Sequence, residues 1–155
     1  MSFSRKAALA LTGIAALAMP LAVAGSASAS TDARCTVTPL KPVLDHLNSS
    51  GEKVIRYETE VTCSAGRSIE ILDERRDHDN LSTDDFEGSN TWNLRFDGTT
   101  HTVTKYVLAV LPDADGWGDD NEEMYHAVGF QVTSDNGVVS AWTSWENSPV
   151  VSFHL

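Results

Sequence analysis

Ile55-Arg56-Tyr57-Glu58-Thr59-Glu60-Val61-Thr62-Cys63 alternates residue by residue. Ile55, Tyr57, Thr59, Val61 and Cys63 fall on one side, and Arg56, Glu58, Glu60 and Thr62 on the other. Side chains of a strand point to opposite faces in turn, so this period of two predicts a half-buried strand with one wet face.

The same period recurs on both sides of it. Cys35 and Val37 mark a short strand that Pro39 and Pro42 end, with Asn48-Ser49-Ser50-Gly51 as the turn that follows. Ser64-Ala65-Gly66 turns the chain into Ile69 and Ile71. Trp92, Leu94 and Phe96 alternate with Asn93 and Arg95, and Asp97-Gly98 leads into a longer strand from Val103 to Leu111. Met124, His126, Val128, Phe130 and Val132 alternate with Tyr125, Ala127, Gly129 and Gln131. Asp135-Asn136-Gly137 is a strong hairpin signal, and Val138–Trp142 and Val150–Leu155 complete the set. No segment of this part shows a 3.6-residue apolar period. Seven to eight short strands with regular turns predict an all-β, antiparallel β-sandwich over residues 35–155. Trp92 and Trp142 fit its core.

Tyr125, Val128, Phe130 and Val132, then Asn136-Gly137, then Trp142 resemble the last strand pair of a fibronectin type III or immunoglobulin-like domain. Trp142-Thr143-Ser144-Trp145-Glu146 is similar to the Trp-Ser-x-Trp-Ser box of cytokine-receptor modules of that class, with Thr143 and Glu146 departing from it. The resemblance implies an architecture and no activity.

The N-terminus sets the compartment. Arg5 and Lys6 precede an Ala-rich apolar run from Ala7 to Val23, and Ala27-Ser28-Ala29 follows as a small-x-small site. That layout predicts a signal peptide over residues 1–29, cleaved on export, and a secreted, extracellular protein without membrane insertion. Residues 30–34 read as a flexible lead. The leader holds two of the 11 basic residues and none of the 22 acidic ones, which leaves nine against 22 and a net charge of −13. Such a surface disfavours nucleic acid and anionic membranes. In an oxidising compartment Cys35 and Cys63, the only cysteines, read as one structural disulfide.

Residues suited to chemistry are sparse. The loop from Asp113 to Glu123 offers Asp113, Asp115, Asp119 and Asp120 as oxygen ligands for calcium, with Gly118 at an EF-hand-like turn position. Trp117 and Met124 break that pattern where ligands are required. A second acidic run, Asp77-His78-Asp79-Asn80 with Asp84, Asp85 and Glu87, adjoins Arg75 and Arg76, so ion pairing accounts for it. The five histidines show no zinc spacing, and His126 on an apolar face reads as a satisfied core residue. No Gly-x-Ser-x-Gly element is present. Trp117 and Trp145 are the expected ligand contacts. The sequence therefore predicts a non-enzymatic binding or adaptor module that engages an extracellular protein. A calcium-assisted carbohydrate-binding module is the alternative, and a secreted enzyme inhibitor a weaker one.

Overall fold

A computed structural model describes residues 30–79, 83–112 and 121–154. The alternating stretches form strands, and no described residue is helical. The strands are β1 (Ser30–Asp32), β2 (Cys35–Pro39), β3 (Val43–Leu47), β4 (Lys53–Cys63), β5 (Arg67–Asp77), β6 (Asp85–Phe96), β7 (His101–Val110), β8 (Asn121–Thr133), β9 (Glu146–Asn147) and β10 (Val151–His154). They make two antiparallel five-stranded sheets, a β-sandwich-like arrangement.

In the first sheet β7 runs along one edge of β4, and β2 and β3 share the other edge. β2 and β3 are one path broken at Leu40-Lys41-Pro42, where a proline cannot donate to the ladder. In the second sheet β5 lies between β6 and β8, and β9 and β10 line the far edge of β8 in tandem. Ten segments thus stand where seven to eight strands are expected, partly because two paths are interrupted.

The inward residues of both sheets share one core. Cys35, Val37, Val61 and Cys63 pack with Ile69, Ile71, Phe96, Val128, Phe130 and Val132, and Trp92, Leu94 and Val103 close its side. Ile55, Tyr57, Leu111 and Met124 form a second cluster at the other end.

Three expectations change. Residues 30–34 are not a free lead: Ser30–Asp32 pairs with Cys35–Val37 across a tight turn, with positive φ at Ala33 (46°) and Arg34 (69°). The edge of β2 offers unpaired backbone groups, and the chain folds back to use them. The strand expected over Val138–Trp142 is reduced to a single bridge, Thr133 to Val139. Hydroxyls complete the ladder instead. The Val132 and Phe130 amides donate to Ser140 Oγ and Thr143 Oγ1, both at 3.1 Å, and the His126 amide to Ser148 Oγ at 3.0 Å. The amides of Ser140, Thr143 and Ser148 return bonds to the carbonyls of the same three residues. Each Ser or Thr therefore replaces a regular strand partner while the chain bows outward. Trp142, expected in the core, is consequently 46% exposed.

Cys35 and Cys63 form the expected disulfide and stand directly opposite each other on β2 and β4. Their bridge closes the β2–β3–β4 loop. Replacing both by alanine is expected to lower the unfolding free energy by about 3–4 kcal/mol. Urea unfolding of the oxidised protein and the double variant measures the difference.

Candidate functional site

Three places gather polar or exposed apolar groups: the centre of the sandwich, its Asp77–Asp84 end, and two uncovered margins.

At the centre, strand alternation turns Thr59 of β4 and Asp73 and His126 of β5 and β8 into the interior, where all three are fully buried. Thr59 Oγ1 donates to Asp73 Oδ2 at 3.0 Å, and His126 Nδ1 lies 3.0 Å from the same oxygen. His126 Nε2 is 2.8 Å from the Leu40 carbonyl, so it donates there. One proton then serves the contact between Nδ1 and the carboxylate. The imidazole also meets the Tyr57 ring edge-on at 5.6 Å. Burial pushes the Tyr57 phenol far above its usual range, with Arg75 opposing that shift. The expectation that His126 is a satisfied core residue holds. The histidine, carboxylate and hydroxyl are sealed from solvent, and this set braces the two sheets.

Toward one end, the acidic run divides between faces. Asp77 turns inward and accepts the Glu123 amide at 3.0 Å. Asp84 stays on the flank, where the Tyr125 hydroxyl donates to Oδ2 at 2.5 Å and His78 Nδ1 lies 3.1 Å from Oδ1. The Tyr125 bond, aided by His78, holds the Asp84 carboxyl below its usual range. Burial and that same bond push Tyr125 up to about 12. Glu87 is the extra residue of a bulge between the Arg75–Gly88 and Arg76–Phe86 pairs. Its carboxyl is raised by burial, then by Asp77 and Asp85, against the pull of Arg75. Gly88 beside it has φ +127°, and a Cβ there would strike the Arg75 guanidinium.

The calcium residues expected from sequence, Asp113, Asp115, Asp119 and Asp120, and the expected contact Trp117 lie outside the described residues. Among the described residues no group of three or more His, Cys, Asp or Glu is placed to hold a metal ion. No described helix is long and apolar enough to cross a membrane. Trp145, the other expected contact, is half-exposed, and its ring lies over Gly129, where an added Cβ would sit 3.6 Å from it.

Sequence reasoning missed two exposed features. β7 pairs only with β4 among the described strands, and its outward Tyr106, Leu108 and Val110 are 59%, 44% and 47% exposed. The alternation there is a weak signal, because the strand reads as apolar on both faces. The second is a cleft where the 140–144 segment passes β1, lined by Thr31, Asp32, Ser140, Trp142, Thr143 and Ser144. Its signal depends on the β1 hairpin, which no turn residue announces.

Two predictions test these environments. Removing the Asp73 carboxylate by Asp73→Ala leaves Thr59 and His126 buried with unmet bonds, an expected loss of about 3–5 kcal/mol. Thr59→Val removes one hydroxyl and is expected to cost about 1 kcal/mol. A double-mutant cycle on the pair, read by urea unfolding, checks that the two losses are non-additive. The pH dependence runs in opposite directions for Asp84 and Glu87. Asp84 has a folded pKa below its unfolded one, so its contribution is present above the unfolded value and is lost as pH falls through the folded one. Glu87 has a raised folded pKa, so its ionisation costs stability as pH rises above the unfolded value. Glu87→Gln is therefore expected to raise the melting temperature at neutral pH, and Asp84→Asn to lower it. Both differences should shrink in melts run below the ordinary carboxylate range.

No family model matches the chain. No curated protein matches it either. Among solved structures it is similar to one described as the X-ray structure of Northeast Structural Genomics Consortium target SoR45, at 13% identity and a TM-score of 0.37, covering 80% of this chain and 87% of that one.

Proposed function

We propose that this protein is a secreted, non-enzymatic binding module of the immunoglobulin or fibronectin III-like class that docks on an extracellular protein through the β7 margin. The strand distribution supports the class. With the short β1 set aside and β2–β3 and β9–β10 each taken as one path, the first, second and fifth paths share a sheet, and the third, sixth and seventh share the other. Immunoglobulin domains divide their strands in this way. The fourth path, β6, lies beside the third, as an added strand does in variable-type domains.

The observation that carries the binding role is β7, which has only β4 beside it among the described strands. A ten-residue edge presents unpaired backbone groups, which a partner strand can complete. Tyr106, Leu108 and Val110 stand in one outward row beside it and supply apolar contact. Among the described strands of ten or more residues, β7 alone carries no acidic side chain. The edge strand itself thus adds no carboxylate to the repulsion a partner meets, although Glu58 and Glu60 of β4 lie opposite Tyr106 and Thr104. Lys105, opposite inward-facing Thr59, is a single charged guard against indiscriminate pairing. The buried state of His126, Asp73 and Thr59 supports a non-catalytic reading, since a substrate does not reach them.

The disulfide and the leader-like N-terminus support the extracellular setting. Leu108→Lys places a charge in the centre of the exposed row without touching the core. Partner recovery from culture medium by the variant is expected to fall by about tenfold or more, with an unchanged melting temperature. Equal recovery by the variant and the parent protein would remove the β7 margin as the docking site.

A further inference from the structure

We infer that the cleft at Trp142 is a subsite for a neutral sugar ring, independent of the β7 margin. Three features of the cleft point to this ligand. The first is an aromatic platform: Trp142 is 46% exposed and lines the cleft. Indole faces stack on the C–H face of a pyranose, and an indole left half in water is a binding element that the core does not use.

The second feature is a mixed set of polar groups at its rim. The Asp32 carboxylate lines the cleft and has no hydrogen bond or ion pair among the described residues, so it stands ready as an acceptor. Thr143 Oγ1 accepts the Phe130 amide, which leaves its own proton to donate. The Ser144 hydroxyl lines the same cleft and both donates and accepts. Ser140 is committed on both sides, accepting the Val132 amide and donating to the Ala141 carbonyl at 2.7 Å, so it serves as wall. Vicinal sugar hydroxyls are each donor and acceptor, and they match a rim that offers both. A lysine or arginine side chain would need acceptors alone, and the rim has one carboxylate.

The third feature is construction. The bowed segment that lifts Trp142 outward is held by the Ser140 and Thr143 bonds to β8, and Asp32 is brought to it by β1, which pairs with β2. The platform and the carboxylate therefore sit on opposite walls that are each tied into a sheet. Binding needs no ordering of a loop, which lowers its cost. The net negative charge disfavours anionic glycans, so the expected ligand is a neutral oligosaccharide.

The test uses the purified protein and the indole N–H signals of its four tryptophans in proton–nitrogen spectra, with Trp142 assigned through Trp142→Phe. Oligomers of glucose, xylose, mannose and N-acetylglucosamine are added singly to about 10 mM, the range of single-ring affinities. A short lysine oligomer is the cationic probe. The expected result is a saturable shift of the Trp142 signal with at least one oligosaccharide, unchanged in high salt, and an affinity, read by titration calorimetry, that Trp142→Ala weakens about tenfold or more. Asp32→Asn should weaken it less, because the amide keeps an acceptor. A Trp142 shift with the lysine oligomer alone, abolished by salt and by Asp32→Asn, would overturn the proposal in favour of a cationic segment. Absence of a Trp142 shift with every oligosaccharide would also overturn it. Trp142→Ala is a surface change, and an unaltered melting temperature separates lost binding from lost fold.

Discussion

The buried set of Asp73, His126 and Thr59 fixes how the two sheets meet. Hydrophobic burial alone is tolerant of sliding, because apolar contacts carry no direction. A buried carboxylate is not tolerant: it must find its donors or forfeit several kcal/mol. Asp73 finds them in His126 of the neighbouring strand and Thr59 of the opposite sheet. His126 in turn reaches the Leu40 carbonyl, at the point where proline breaks the β2–β3 path. A carbonyl that has lost its ladder partner is thereby satisfied from across the core. One side-chain set holds the spacing of the sheets, the register of β4 against β5 and the exit of the chain at the break.

That arrangement is why the proposed binding places lie at the margins and not at the centre. Polar bonds as well as apolar packing fill the centre, where Asp73, His126 and Thr59 are fully buried. The surface is dominated by acidic and hydroxyl side chains, so uncovered apolar groups stand out against it. Scattered exposed apolar residues need no account. A row on an edge strand does, and so does an indole beside a carboxylate without a partner among the described residues. Both features arise at edges where a regular ladder stops: β7 because no further described strand pairs with it, and Trp142 because Ser140 and Thr143 replace a continuous strand.

Much of the fold was legible from alternation. Ile55 to Cys63, Ile69 and Ile71, Trp92 to Phe96, and Met124 to Val132 all place their apolar members inward, because one buried face imposes a period of two. The cysteine pair was legible because export and an even count leave one pairing. The β1 hairpin was not. Ala33 and Arg34 hold positive φ without the Gly or Asn that usually marks such a turn, so local chemistry gave no sign of it. The exposure of Trp142 was hidden for a related reason. A regular strand after Asn136-Gly137 would have turned it toward β8, whereas hydroxyl mimicry lets the chain bow. Trp145 was read as a contact, and its exposed ring over Gly129 is compatible with that, but the sequence did not reveal that the missing Cβ makes the seat.

The two margins also differ in what they demand of a partner. A strand added to β7 must order its backbone over several residues, and each ordered residue costs conformational entropy that the apolar row must offset. Leu108 and Val110 lie beside Arg56 and Val54 of β4, so the row is backed by a packed sheet and does not itself reorganise. The Trp142 cleft asks for no such ordering, since a sugar ring is already rigid. One wall comes from β1, paired with β2, and the other from the 140–144 segment, bonded to β8. Loosening the β1 hairpin would separate Asp32 from Trp142 and leave the core intact. The cleft is therefore the feature most sensitive to how β1 is held, while the β7 margin depends on the pinned core.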